Sequence, residues 1–349
     1  MDQRLWHERS THAVPMPPAP LQADEFSQMT KVEVGSYVLA LNTWLGSVPM
    51  PMPEIDSVRS VMTEVTTRNR LSLPGAKTIL CLEGPNGVGK STVTKYASAS
   101  LYRQWITSVE LGPDGLPEWR PHPRMSGAGF APVVSVNLPS KAEITKVNRQ
   151  ILRFLNIKTA GTADELTTRV IDAIWRHGIR LLVIDDAHFL TTHLLTGRIV
   201  LDHIKHLVTE LGEYGATLMI VGANLQKGLI VSDPQIACRL RLVSMNPIGT
   251  DTTEECREWQ AQLARFEDRL LAYLPKQARG DFTDLLAPAI WRRAQGHVGE
   301  TAELMCEATY LAIQDGSLRI TGDHLTQVPL SERAREAEAQ LPVTPRKRK

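Results

Sequence analysis

The stretch Gly84-Pro-Asn-Gly-Val-Gly-Lys-Ser91 constrains this chain more than any other. It fits G-x-x-x-x-G-K-[ST], the pattern of a phosphate-binding loop. Ile79, Leu80, Cys81 and Leu82 before it form a short apolar run, as a strand buried on both faces would. The glycines let the backbone curl so that successive N–H groups face one anion. A helix is predicted to begin near Lys90, with its positive dipole end aimed at the same anion. In that geometry Gly84, Pro85, Asn86, Gly87, Val88, Gly89, Lys90, Ser91 and Thr92 line a nucleotide. Lys90 would reach the β- and γ-phosphates of ATP, and the Ser91 hydroxyl would ligate Mg²⁺. Alone, the pattern also describes a plain glycine turn. The strand before it and the helix after it select the phosphate-binding reading.

A length of 349 residues suggests one large or two modest domains, and a hydrophobic content of 42% is enough for a real core. The net charge of +1 gives no global basic field, so any contact with nucleic acid must come from local patches. The four cysteines, Cys81, Cys238, Cys256 and Cys306, form no C-x-x-C pair, which argues against a disulfide or zinc framework. The N-terminus lacks the apolar core of a secretion signal, and no apolar run is long enough to span a bilayer. A cytoplasmic protein without membrane contact is expected.

Along the chain, residues 1–30 include Val14-Pro-Met-Pro-Pro-Ala-Pro20 and read as a disordered proline-rich arm. Residues 31–73 read as a helical extension, with Ile55, Val58, Met62 and Val65 on one face and Pro53 at a helix start. Residues 104–131 are poorly patterned around the turn Pro113-Asp-Gly115, and Trp105, Trp119, Arg120, His122 and Arg124 give them a basic-aromatic character. Strands are expected at 132–138, from Leu181, at 217–222 and at 239–245. Helices are expected between them: one carrying Ile144, Val147, Ile151 and Phe154, one opened by the capping box Thr162-Ala-Asp-Glu165, and one near 196–213. Alternating strands and helices mean an α/β domain with a parallel sheet sandwiched by helices, here residues 74–248. From 249 to 328 only helix signals follow, beginning with the cap Thr252-Thr-Glu-Glu255, and a small helical lid domain is expected. Residues 329–349 end in Pro345-Arg-Lys-Arg-Lys349 and read as a basic disordered tail.

Four apolar residues place Asp185 at the end of a buried strand, where an acid holds the Mg²⁺ shell. Asp186 follows, and at a strand end it can swing towards the γ-phosphate and polarise the attacking water. It is one methylene shorter than glutamate, so slow hydrolysis is expected. Asn224, just past the fourth strand, lies where a parallel sheet presents its ligands and can bond the water or the γ-phosphate; a turn asparagine is the competing reading. Arg239 and Arg241 flank the start of the fifth strand, and either could serve as an arginine finger to a neighbouring subunit. His188 has no histidine or cysteine partner at metal spacing and reads as a packed or solvent-touching side chain.

Together these features resemble an AAA+ ATPase. Within that superfamily the chain is similar to the TniB group of transposition ATPases, related to TnsC and MuB. The similar pieces are Pro132-Val-Val-Ser-Val-Asn-Leu-Pro139, Leu181-Leu-Val-Ile-Asp-Asp-Ala-His-Phe-Leu190, Ala237-Cys-Arg-Leu240 and Gly296-His-Val-Gly-Glu300, and the likeness runs from about residue 74 to 328. The resemblance implies ATP hydrolysis, ATP-dependent assembly of a ring or filament on double-stranded DNA, and delivery of target DNA to a transposase. It favours Arg239 as the finger, since the family often has two arginines where this chain has Cys238-Arg239. Glu300 and Thr301 after Gly299 depart from the lid arginine that many AAA+ proteins carry there.

Two other readings compete. A replication initiator or helicase loader also uses ATP to assemble on DNA. A small-molecule kinase would need lid arginines near the phosphates, and the acid pair suits water activation better. A transporter ATPase is disfavoured because no L-S-G-G-Q segment is present.

Overall fold

The computed structural model of the chain describes residues 1–122, 124, 126–138, 143–187, 195–227 and 233–341. The apolar runs become strands β1 (Ile79–Glu83), β2 (Glu118–Trp119), β3 (Ala128–Gly129), β4 (Val133–Asn137), β5 (Leu181–Asp185), β6 (Thr217–Gly222) and β7 (Leu240–Ser244). Five of them form one sheet in the order β4-β5-β6-β1-β7, with every neighbouring pair parallel. Every residue of β1, β5 and β6 is buried, as strands covered on both faces require. The edge strand β7 is half exposed.

The connections are helical. Lys90–Ile106 follows β1, Ile144–Phe154 and Ala163–Arg176 join β4 to β5, and Leu195–Glu213 leads to β6. Thr162 and Glu165 make the reciprocal bonds of a capping box, and Val147, Ile151 and Phe154 are buried. The register pairs Glu83 with Ser244 and Asn137 with Asp185. The carboxyl ends of the five strands therefore share one edge of the sheet.

The chain divides into two compact units. The first, Met1–His12, Glu54–Asn86 and Lys90–Met245, holds the sheet. The second, Ala13–Pro53, Gly87–Gly89 and Asn246 onward, is helical. In it the Thr252–Glu255 capping box opens the helix Thr253–Leu270, whose Trp259, Leu263, Phe266 and Leu270 are buried. Trp44 of the helix Lys31–Ser47 packs on Tyr273, with ring centres 5.6 Å apart.

Three expectations need correction. Residues 1–30 are not a structureless arm. Asp2 caps a helix over Gln3–Thr11, Trp6 is buried against Tyr102 and Phe154, and Gln3 Nε2 donates to the Phe130 carbonyl at 3.0 Å. One capped tryptophan helix outweighs the proline-rich average, because the prolines are confined to positions 15–20. The 31–73 extension is divided: Lys31–Ser47 belongs to the second unit and Pro53–Leu71 almost wholly to the first. In the expected tail, Ser331 caps a helix over Glu332–Gln340 that buries Ala334; the terminal basic run Arg346 to Lys349 and His188 lie outside the described residues.

The 104–131 stretch uses its aromatics for packing. Trp119 stacks on Phe130 at 5.1 Å, and the Arg180 guanidinium lies over the rings of Trp105 and Phe130. Arg120 pairs with Glu118 at 3.0 Å, while Arg124 is exposed.

Candidate nucleotide site

The site is built where β1 ends. Gly87 and Gly89 have φ of +84° and +97°, left-handed values that a side chain would strain. The N–H groups of both donate to no acceptor among the described residues. The helix that starts at Lys90 has no acid in its first turn. A left-handed loop with unspent donors, followed by an uncompensated helix N-terminus, suits an anion.

Lys90 is buried, 8% exposed. Its Nζ donates to the Pro85 carbonyl at 2.8 Å. Burial pushes the ammonium below the usual lysine range, while Asp185, Asp186 and Glu83 pull it back up. The cation thus faces three carboxylates across the carboxyl end of the sheet.

Asp185 is buried at the end of β5, and its Oδ1 accepts the Asp186 N–H at 2.8 Å. Asp186 has φ of +60°, a left-handed conformation that turns the chain out of the strand. Its Oδ2 accepts from Nδ2 of Asn137, at the end of β4, at 3.0 Å. Asn224 is also left-handed, φ +55°, exposed, and without a side-chain hydrogen bond among the described residues. It sits past the end of β6, at the same edge of the sheet as the acids.

Two residues carry little signal in the sequence. Glu83, the last residue of β1, is buried; it accepts from the Gln226 main chain at 3.1 Å, from the Gln226 side-chain amide, and from Ser244 Oγ at 3.3 Å. It ties the turn after β6 and the end of β7 to the root of the loop. Its one signal is a single carboxylate closing an apolar run. Asn137 has none, because its role depends on the β4–β5 pairing.

Arg239 lies elsewhere. It directly precedes β7, whose first residue pairs with Ile79, the first of β1. Five residue steps along β7 separate it from the level of Ser244 and the loop, about 16 Å at the usual strand rise. That exceeds the reach of an arginine side chain. Arg241, two residues on, is exposed on the edge strand.

In the second unit, the Glu300 N–H donates to the Gly87 carbonyl at 3.2 Å. The Glu300 carboxylate accepts from Ser331 Oγ at 3.0 Å and is ion-paired with Arg333. The departure from a lid arginine at 300 therefore coincides with an arginine held beside it from the helix Glu332–Gln340.

The donor set fits a magnesium nucleotide. A magnesium ion takes one or two carboxylates and draws its other ligands from phosphate and water, and Asp185, a carboxylate buried at the end of β5, is a donor of that kind.

Residues 74–224 match the AAA domain family. Over those residues the chain is similar to an AAA domain. Its fold is similar to the crystal structure of Cdc6p from Pyrobaculum aerophilum, with a TM-score of 0.51 at 16% identity, covering 87% of this chain and 69% of that one. At that identity the likeness establishes the fold. No curated protein matches the sequence. These likenesses support the AAA domain and do not reach the TniB group. Among the described residues, no helix is long and apolar enough to cross a membrane.

Proposed function

We propose that the protein is an ATP-hydrolysing AAA+ switch that assembles on double-stranded DNA and regulates transposition by recruiting or activating a transposase. The observation that carries the ATPase reading is the left-handed glycine loop at the end of the buried strand β1, followed by buried Lys90 at a helix start, with Asp185 buried at the end of β5. The loop amides and Lys90 would hold the phosphates of ATP, with Ser91 and Asp185 on the Mg²⁺. When bound, the magnesium nucleotide supplies the phosphoanhydride and neutralises charge as it breaks. Asp186, oriented by Asn137, takes the proton of the attacking water, and Asn224 positions that water. Arg239, too far from its own loop, serves the loop of a neighbouring copy.

DNA contact is supported by a cationic cluster in the first unit. Arg149 Nε donates to the Thr159 carbonyl at 3.2 Å, and Arg169 donates to the Ala160 carbonyl at 2.5 Å, so both guanidiniums converge on one loop. Lys158 lies in that loop, and Arg153 is one helical turn from Arg149. None of the four makes a salt bridge among the described residues. Arg149 and Arg169 on one loop, with Lys158 in it and Glu165 beside Arg169, form the local positive patch through which a chain of net charge +1 would contact a phosphate backbone.

Transposition rests on the TniB resemblance. The fold likeness to Cdc6p favours a second reading, a replication initiator or helicase loader, which would use the same site and the same DNA surface. The gene's neighbours separate the two: a transposase gene beside it favours the first, and replication genes the second. The shared core is tested by DNA association and particle size with ATP, ADP and a non-hydrolysable analogue across a salt series. Assembly is expected with ATP or the analogue, with little dependence on base sequence. Neutralising Arg149, Arg153 and Lys158 should flatten the salt dependence by about one unit of log–log slope for each phosphate no longer neutralised. A protein that stays monomeric and free of DNA with the analogue at low salt would refute the reading.

A further inference from the structure

Among the described residues the Arg239 side chain makes no hydrogen bond or ion pair, so the main chain that carries it sets its direction. That main chain is tied on both sides. Downstream, the Ile79 N–H of β1 donates to the Arg239 carbonyl at 2.9 Å, which fixes the start of β7. Upstream, the Arg239 N–H donates at 2.9 Å to the carbonyl of Ile236, in the four-residue helix Pro234–Ala237. A single helical turn is too short to hold itself, so its place depends on its cap and its neighbours.

Asp233 supplies the cap. Its Oδ1 accepts the main-chain N–H of Gln235 at 3.0 Å and of Ile236 at 3.2 Å. The other oxygen of that carboxylate, Oδ2, accepts from Lys205 Nζ at 2.5 Å. Lys205 stands on the helix Leu195–Glu213 and also pairs with Asp202 of the same helix at 2.9 Å. The side chains of Lys205 and Asp233 are 24% and 18% exposed, so solvent screens this pair less than an ordinary surface pair. The bond to Asp233, with that to Asp202, raises the Lys205 pKa, so the ammonium stays charged. Buried Ile236 docks the short helix on the core. Losing the Lys205 bond would therefore free the cap without unfolding the domain.

We propose that Lys205 is a positioning residue for ATP hydrolysis: through Asp233 it fixes the turn that aims Arg239 at the loop of a neighbouring copy. This rests on the reading of Arg239 as a finger acting between copies. A catalytic group misplaced by about an ångström can lose two orders of magnitude in rate, so a tie this small has leverage. Lys205 bonds neither the glycine loop nor the acids beside it, so it leaves ATP binding in its own copy alone.

Steady-state hydrolysis by variants of the full chain tests the proposal. Lys205→Met should lower kcat about tenfold and leave KM and ATP affinity unchanged. Lys205→Arg, which keeps a cation for Asp233, should restore most of the rate. Added to Arg239→Ala, Lys205→Met should cost nothing further, because the group it aims is gone. Mixed with Lys90→Ala protein, which lends a well-placed finger, Lys205→Met protein should hydrolyse ATP faster than the sum of the two alone. Should Lys205→Met fail to fold by circular dichroism, Asp233→Asn keeps a capping side chain and drops the charge, and the same kinetics are expected of it. Wild-type kcat in a folded variant, a rise in KM at unchanged kcat, no rescue by arginine, an additive loss on Arg239→Ala or no gain on mixing would each overturn the proposal. The two readings fail separately. A wild-type rate in Arg239→Ala alone removes the finger and the proposal together, whereas a slow Arg239→Ala beside a normal Lys205→Met removes only the proposal.

Discussion

At the carboxyl end of the sheet Lys90, Glu83, Asp185 and Asp186 each hold a hydrogen-bond partner, whereas at the amino end of β7 the Arg239 side chain has none among the described residues. The first region is a closed polar network built on strand ends that are buried on both faces. Its charges are fixed by the chain's own side chains and turns. The second is one cation on a half-exposed edge strand. One end is thus a network of charges fixed within the protomer, while the other is a cation with no side-chain partner among the described residues.

The largest expected effect breaks that contrast at its exposed end. Arg239→Ala should leave ATP affinity unchanged and lower steady-state hydrolysis about a thousandfold, the scale of a lost arginine finger. Arg241→Ala should change little. If the two variants behaved alike, the assignment would move from Arg239 to the edge strand as a whole.

Next is the closed end. Lys90→Ala should weaken ATP binding by about two orders of magnitude, because it strips the cation from a site that keeps three carboxylates. Circular dichroism must show a folded protein, since Lys90 is buried. Wild-type affinity in a folded variant would sink the nucleotide assignment.

Asp186→Asn should retain ATP and slow hydrolysis about a hundredfold, whereas Asn137→Ala, which frees Asp186 without removing it, should slow it about tenfold. A larger loss from Asn137→Ala than from Asp186→Asn would reverse their roles.

The smallest effect serves as a control away from both ends. His203 is buried, bonded through Nε2 to Asn148 Oδ1 at 2.8 Å, and burial lowers its pKa from 6.5 to about 4. The unfolded chain takes up a proton below pH 6.5 that the folded chain refuses until about 4. This part of the stability is therefore complete above pH 6.5 and is lost as the pH falls towards 4, by roughly 3 kcal/mol at most. His203→Gln should flatten the acid side of the pH–stability curve and leave hydrolysis at pH 8 unaltered. An unchanged acid limb would place the sensitivity in other groups.

The sheet was legible because its signals are local. Four apolar residues before Gly84 and four before Asp185 read as buried strands, and the capping boxes at Thr162 and Thr252 lie within four residues of sequence. The N-terminal helix was not legible, since proline content averaged over thirty residues hid the Asp2 cap and the burial of Trp6. The division of residues 31–73 between two units was equally hidden, because periodicity shows which helix face is buried but not what covers it. In the site, Lys90 and Asp185 follow from motif and strand end. The Asn137–Asp186 bond follows only from strand order, and the Glu83–Gln226 contact joins residues 143 apart. The distance of Arg239 from the loop needed the register of β7 on β1.

On the proposed function, one active site is assembled from the carboxyl end of the sheet in one copy and Arg239 of another. Mixing Arg239→Ala protein, which keeps its loop, with Lys90→Ala protein, which keeps its finger, tests this most directly. With both variants folded and able to associate, hydrolysis in an equal mixture should rise to about a quarter of the wild-type rate, the share of head-to-tail interfaces that join an intact loop to an intact finger. Hydrolysis no higher than the sum of the two inactive variants, at every mixing ratio, would contradict a shared site.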